Sequence, residues 1–204
     1  MEIIPARLVI DYQNIHLTGH DQFAPPGTPK HDSLVSPLLF AEQWLIARNN
    51  NLSSIYQQGK APARQYELEE VHVFRGSPSN SKDPDAYRRS QAQRAEWTRD
   101  SRVKVTYRTL TYRPNFVEEK GIDVLVAIDL IRSADRGDAK VIALASHDTD
   151  LEPALSAADE NRGIKIETVG WEGCRILRIP GKQIWHTRLN GGNFIKARDR
   201  RVYP

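Results

Sequence analysis

The sequence has very little cysteine and no long hydrophobic run. Its one cysteine, Cys174, excludes an intramolecular disulfide and is typical of a protein kept in a reducing cytosol, so we expect a cytoplasmic location. No apolar run approaches the roughly 18 residues that a membrane-spanning helix requires, which predicts no membrane partner. The acidic, proline-containing start, MEIIPARLVID, is not typical of a signal peptide.

The motifs of several enzyme classes are also missing. No GxGxxG follows the first predicted strand, which disfavours a dinucleotide-binding enzyme. No histidine and cysteine cluster has zinc-ligand spacing, and no Ser-His-Asp or Cys-His pattern is evident. A small-molecule phosphohydrolase of another Rossmann-like class stays open. Such enzymes often carry Asp-x-Asp after the first strand, and here Gln13 stands two residues beyond Asp11, which counts against that class.

What is present indicates one globular domain of alternating strands and helices. The 204 residues are 39% hydrophobic and 27% charged, and the formal net charge of +3 is too small to indicate nucleic-acid binding by itself. Strands are predicted near residues 6–12, 67–76, 103–110, 141–146 and 164–170. Helices are predicted from Pro37, after residues 83–85, at 121–134 and at 151–162, with irregular stretches at 19–33 and 49–64. This alternation is typical of a parallel sheet with right-handed crossovers.

Carboxylates stand at the ends of these predicted elements, beside long apolar runs. Asp11 ends the first strand, Asp123 lies in the first turn of a helix, and Asp148 and Asp150 follow the fourth strand. An unpaired carboxylate is costly in apolar surroundings. Since the crevice of an open parallel sheet lies outside the C-terminal ends of its strands, these groups form a candidate site for a hard divalent cation.

Each carboxylate also has a structural interpretation. Asp11 could cap a turn, and Asp123 could be a first-turn acid favoured by the helix dipole. One of the pair Asp148 and Asp150 is expected to cap the following helix.

Two further polar residues have open roles. Asp129 lies six residues after Asp123 and does not share its helix face. It either supports the site or forms an ion pair with a nearby arginine such as Arg132. Asn14 either contacts the scissile phosphate, orients Asp11, or is a plain loop amide.

Three motifs in this order resemble the NYN domain family of PIN-like ribonucleases, which includes the bacterial LabA-like (DUF88) proteins. The motifs are DYQNI with Asp11 and Asn14, KGIDVLVAIDL with Asp123, and ASHDTDLEPAL with Asp148. The resemblance covers about residues 6–170. It implies an α/β fold, a Rossmann-like three-layer α/β/α sandwich with a mainly parallel sheet of about five strands. The domain would span residues 1–188, followed by a basic tail at 189–204.

The same resemblance implies metal-dependent cleavage of RNA phosphodiester bonds. The catalytic carboxylates, which are also the ligands of Mg²⁺ or Mn²⁺, would be Asp11, Asp123, Asp148 and Asp150. His147 and Leu151 stand where the family has glycine and phenylalanine, and neither change removes a carboxylate. The alternative function is a catalytically weak RNA-binding or regulatory module on the same fold. The sequence makes no prediction of oligomeric state.

RNA as a partner requires a basic surface. Arg75, at the end of the second strand, is a candidate phosphate contact, and Tyr87 and Trp97 offer aromatic faces to unpaired bases. The basic tail KARDRRVYP is expected to be flexible and to follow phosphates. Basic residues are concentrated on one helix and the strand after it, namely Arg88, Arg89, Arg94, Arg99, Arg102 and Lys104. A polar helix of this kind is also typical of a solvated face. The first predicted loop adds His16, His20 and His31.

Overall fold

A computed structural model describes residues 1–137, 139–161 and 163–203 of the protein. Within these ranges the chain forms eight strands and six α-helices. In chain order they are β1 (Glu2–Asp11), α1 (Tyr12–Phe23), α2 (Pro37–Gln57), β2 (Arg64–Ser77), α3 (Pro84–Trp97), β3 (Val103–Thr109), β4 (Thr111–Tyr112), β5 (Val117–Glu118), α4 (Ile122–Arg136), β6 (Val141–Ala145), α5 (Glu152–Asp159), β7 (Lys165–Trp171), β8 (Trp185–Leu189) and α6 (Gly191–Ala197). Among the described residues, no helix is long and apolar enough to cross a membrane.

Six strands form one parallel sheet in the order β3-β2-β1-β6-β7-β8, and β4 and β5 form a separate antiparallel hairpin. The chain builds outward from the centre in both directions, so the strand order reverses between β1 and β6. There Ile10 pairs with Ala145. Ligand crevices in open parallel sheets lie at such reversal points. The predicted α/β class is confirmed, with one strand more than expected because β8 pairs with β7.

Helices cover both faces of the sheet. Along β1, Leu8 and Ile10 belong to a core cluster that includes Trp44 of α2, whereas Val9 belongs to a second cluster that includes Leu130 of α4. Alternate residues of a strand point to opposite faces of a sheet, so two separate cores follow from one apolar strand. The arrangement is the three-layer α/β/α sandwich that the motifs implied.

One helix was not predicted from the sequence, and another is longer than predicted. Residues 12–23 form α1, although a loop was expected from residue 19, because Tyr12 and Ile15 face the core and are each 1% exposed. Helix α2 continues to residue 57 through a stretch expected to be irregular. Asn49 ties that extension to β2, since its side chain accepts a hydrogen bond from Tyr66 N (2.8 Å) and donates one to Tyr66 O (3.0 Å). Tertiary contacts thus override weak helix propensity.

Part of the C-terminal segment packs onto the domain. In α6, Phe194 and Ala197 are 1% and 0% exposed. Beyond it, Val35 pairs with Arg198 in an antiparallel bridge, and Asp199 accepts a hydrogen bond from Trp97 Nε1 (2.7 Å). Val202 is 96% exposed, and the flexibility expected of KARDRRVYP stays a prediction.

Candidate active site

The site begins with the carboxylate of Asp11, which is 8% exposed at the C-terminal end of β1. One carboxylate oxygen accepts a hydrogen bond from Asn14 N (3.4 Å), so Asp11 is the N-cap of α1. The other accepts one from the hydroxyl of Ser146 (3.0 Å), which follows β6. The capping role expected as an alternative is therefore real, and it fixes the carboxylate at the reversal point.

Two internal hydrogen bonds shape the turn after β6, and a third joins it to Asn14 of α1. Ser146 Oγ accepts from Asp148 N (3.1 Å), Asp148 Oδ1 accepts from Asp150 N (3.0 Å), and Asn14 Oδ1 accepts from His147 N (2.8 Å). Asn14 therefore ties α1 to this turn. Ser146 is fully buried and links Asp11 to Asp148, a role that the sequence analysis did not assign to it.

Asp123 approaches from α4. Gly121 precedes that helix with a φ of 69°, a conformation that favours glycine, and this explains the glycine of the KGID motif. Asp123 is exposed in the first turn. Burial and, to a smaller extent, the negative charges of Asp148 and Asp123 raise the pKa of Asp11 to about 6, although the hydrogen bonds from Ser146 and Asn14 lower it. The three predicted carboxylates therefore lie close enough to interact.

Carboxylate oxygens are the donors that a hydrated divalent cation takes. In the described ranges, however, no group of three or more histidine, cysteine, aspartate or glutamate side chains is placed so that it could hold a metal ion. Mg²⁺ is often held by only one or two carboxylates and retains several waters. A cation beside Asp11 would also relieve the charge repulsion that raises the pKa of its carboxyl group.

The other predicted acidic residues occupy different places. Asp150 is exposed at the rim, and its backbone rather than its carboxylate joins the hydrogen-bonded turn. Asp129 Oδ1 lies 3.0 Å from Nδ1 of His72 in β2, and Asp129 forms no ion pair with Arg132 among the described residues. The side chain of Asp129 faces the sheet, so it connects α4 to β2. This contact lies away from Asp11, Asp123 and Asp148, which we call the acidic cluster.

Glu119 is a site residue that the sequence analysis missed. It precedes α4 and accepts a hydrogen bond from the backbone N–H of Gly76 at the end of β2. Burial raises its pKa, and the charge of Asp11 raises it further. The sequence could have indicated Glu119 only through its position beside the lysine of the KGID motif. Its hydrogen bond to Gly76 of β2 depends on the order of strands in the sheet.

A cleft of about 350 Å³ lies next to the carboxylates, between α1, α3 and the end of β2. Arg75 lines it, donates to Gln93 Oε1 (2.6 Å), and lies over the rings of Tyr12 (4.8 Å) and Trp97 (5.6 Å). Arg89 also lines this cleft. The guanidinium of Arg75 is thus held in place beside the acidic cluster without a carboxylate hydrogen-bonded to it.

Most of the other predicted basic residues are engaged elsewhere. Arg88 pairs with Asp85 (2.6 Å), and Arg94 lies over the ring of Tyr107 (5.7 Å). The remaining ion pairs are Arg99 with Glu96, Arg102 with Asp100, and Lys104 with Glu70. Adjacent arginines on α3 therefore have different surroundings, and only Arg89 of this group lines the cleft.

The aromatic and histidine predictions need correction. Trp97 is 5% exposed and offers no face to a base. His16 and His20 lie on α1 rather than in a loop. His16 is buried, and its Nε2 forms a hydrogen bond with Lys30 O (2.9 Å). Burial and, to a smaller extent, the charge of Arg75 lower the pKa of His16 to about 4. His16 is therefore uncharged at neutral pH and positions Lys30.

Comparison with known proteins agrees with this geometry. The NYN domain model matches residues 7–175, which include every carboxylate of the cluster. This chain belongs to the NYN domain family. A protein of unknown function from Vibrio parahaemolyticus, VPA0982, has a similar crystal structure, with a TM-score of 0.52 and 17% identity over 85% of each chain. No curated protein matches the chain. The NYN assignment gives the chain a PIN-like nuclease fold.

His147 stands where NYN domains have glycine, and this is the main difference from the family pattern. The ring of His147 points away from the cleft. It is 8% exposed and packs against Gly170, where an added Cβ would overlap the ring. Nε2 accepts a hydrogen bond from Trp171 N (3.2 Å), so Nδ1 carries the proton and donates to Arg175 O (2.9 Å). Burial lowers the pKa of His147, which favours this neutral form.

We expect His147→Ala to lower the free energy of unfolding by about 2 kcal/mol, because it leaves the buried Trp171 N–H without a partner. Urea unfolding followed by tryptophan fluorescence measures the change. The control is His31→Ala, which removes an exposed histidine and should change stability by less than about 0.5 kcal/mol. Equal effects of the two substitutions would contradict the structural role of His147.

Proposed function

We propose that the protein is a metal-dependent endoribonuclease, a hydrolase that cuts RNA phosphodiester bonds at the acidic cluster. The observation that carries this proposal is the mutual position of Asp11, Asp123 and Asp148. The charges of the latter two act on the buried carboxylate of the first at the reversal point of the sheet. Membership of the NYN family supports a nuclease of this type.

Asp11, Asp123 and Asp148 would hold Mg²⁺ or Mn²⁺, with Asp150 as a fourth candidate ligand. Such an ion, when bound, lowers the pKa of a water molecule and stabilises negative charge on the phosphate. Ser146 orients the carboxylate of Asp11, to which it donates, and fixes the backbone of Asp148, whose N–H donates to it.

The substrate would lie along the adjacent cleft. Arg75 is held by Gln93 and two aromatic rings, which leaves its charge available to a phosphate group of RNA. Arg89 would provide a second cation on the same cleft. Asn14 is committed to the turn through His147 N, so we assign it to positioning rather than to direct contact with RNA.

The test is cleavage of labelled single-stranded RNA in Mn²⁺, in Mg²⁺ and in EDTA. Asp123→Asn should reduce the cleavage rate at least about a hundredfold, because loss of even an indirect metal-site partner commonly costs 10–100-fold. Asp135→Asn is the matched control. It removes an exposed carboxylate from the same helix, about 18 Å along the axis, and should leave the rate unchanged.

Two results would overturn the proposal. Cleavage that persists in both Asp123→Asn and Asp148→Asn would place the reaction outside the acidic cluster. Failure of the unaltered protein to cut any RNA in either metal, with RNA binding intact, would favour the alternative function of an RNA-binding module.

A further inference from the structure

The cleft beside the acidic cluster opens into a second depression along the C-terminal segment. This second depression has a volume of about 770 Å³ and includes residues 198–203 in its wall. His31, Arg89 and Gln93 line both depressions. The two depressions therefore adjoin, and together we call them the C-terminal groove, whose lining includes Glu119 at one end and Tyr203 at the other.

The C-terminal groove contains cations that the protein does not neutralise. Lys30 and Arg89 line it, and so does Arg200 at its far end. None of these three has an ion-pair partner among the described residues, whereas Arg201 pairs with Glu96 (2.6 Å). Unpaired cations along a groove attract a chain of phosphates.

The far end of the groove also exposes apolar surface. Ile195 and Val202 line it and are 57% and 96% exposed, and the ring of half-buried Tyr203 lies beside them. Apolar and aromatic surface next to unpaired cations suits a nucleotide whose base is not paired, because the base face can contact the side chains. A duplex hides its base faces and does not match this surface.

Residues 198–203, which form one wall of the groove, contact Trp97, the residue that also packs against Arg75. Buried Asp199 accepts hydrogen bonds from Trp97 Nε1 (2.7 Å) and from the hydroxyl of Tyr203 (2.6 Å). The carboxylate of Asp199 is thereby satisfied internally. Asp32, next to His31, is the other carboxylate in this wall. Since Trp97 also packs on Arg75, it connects residues 198–203 to the candidate phosphate contact near the carboxylates.

We propose that the C-terminal groove binds a single-stranded RNA flank of the substrate, so that residues 198–203 are part of the substrate site. Phosphates lie along Lys30, Arg89 and Arg200, and an unpaired base contacts the apolar surface at Val202. The identity of the ligand as substrate rests on the proposed function, but binding in the groove does not require cleavage.

The experiment measures the affinity for a labelled single-stranded RNA of about 12 nucleotides in EDTA, over a range of salt concentrations. The groove variant carries Lys30→Gln, Arg89→Gln and Arg200→Gln. The control variant carries Lys60→Gln, Arg132→Gln and Lys140→Gln, three exposed cations away from the groove that also lack ion pairs among the described residues. Both variants lose the same charge, so they separate a local effect from a general one.

We expect the groove variant to bind at least about tenfold more weakly and to reduce the slope of log affinity against log salt by about 2, since each phosphate contact on a single strand contributes about 0.7. The control variant should stay within about threefold of the unaltered protein. Circular dichroism and the melting temperature check that both variants fold. An abasic strand of equal length should bind more weakly than the RNA.

Equal effects of the two variants, or duplex RNA bound as tightly as the single strand, would overturn the groove proposal. Failure of the proposed function is distinguishable. In that case no RNA is cleaved in Mn²⁺ although the groove variant still binds less tightly than the control. Conversely, suppose that the protein cleaves RNA and that the groove and control variants bind RNA equally tightly. The proposed nuclease function would then stand, and the proposal that the groove binds RNA would be refuted.

Discussion

Asp11→Asn is expected to abolish cleavage and, at the same time, to make the protein more stable at neutral pH. Burial and the neighbouring carboxylates raise the pKa of Asp11 from 3.8 to about 6, so the charged form is disfavoured in the folded state. The neutral amide avoids this cost, which amounts to about 1–3 kcal/mol. The hydroxyl of Ser146 can rotate to accept a hydrogen bond from the new amide.

The size of this stability gain depends on pH. The folded protein holds a proton on Asp11 that the unfolded chain releases between about pH 4 and pH 6, so this group destabilises the fold as the pH rises through that window. Urea unfolding in EDTA should show the full gain of Asp11→Asn at pH 8 and almost none at pH 4. Added Mn²⁺ should stabilise the unaltered protein and not the variant. A gain independent of pH would contradict the prediction.

Glu167→Gln is expected to cost about 3–5 kcal/mol of unfolding free energy, the largest loss we predict for a single substitution. Arg48 of α2 donates to both carboxylate oxygens of Glu167 (2.8 and 2.9 Å), and their side chains are 2% and 0% exposed. Although burial opposes it, Arg48 lowers the pKa of Glu167, so the pair is ionised. Removal of the negative charge leaves a buried guanidinium uncompensated.

The matched control is Glu2→Gln, which breaks a surface pair of similar length, Arg64 with Glu2 at 2.9 Å. It should cost less than about 1 kcal/mol because both groups can return to water. Arg48→Met added to Glu167→Gln should recover part of the loss, since it removes the unpaired charge. Similar denaturation midpoints for the two single variants would show that the buried pair contributes no more than the exposed one.

Local sequence was sufficient to predict that three carboxylates lie at one end of the sheet. Asp11, Asp123 and Asp148 each stand at the end of an apolar element, and a parallel sheet brings such ends together whatever the details of the loops. The reversal of strand order between β1 and β6 then places Asp11 beside the turn that begins at Ser146. The charges of Asp148 and Asp123 act on Asp11, and the catalytic role of the three stays a prediction.

Residues recruited from other elements were not predictable in the same way. Glu119 meets Gly76 across the end of β2, and Asp129 pairs with His72, although nothing in the spacing links either pair. Arg88 and Arg89 are neighbours in sequence, yet one pairs with Asp85 and the other lines the cleft, because adjacent helical residues point about 100° apart.

Hydrophobic periodicity and motif spacing act over short stretches of chain, so they were sufficient to predict the α/β class and the order of the main elements. The positions of the basic residues and the packing of the C-terminal segment became visible only with the fold. Ion pairs such as Lys104 with Glu70 and the packing of residues 189–203 join distant parts of the chain. Such contacts depend on which elements become neighbours, and the packing of the two cores sets that.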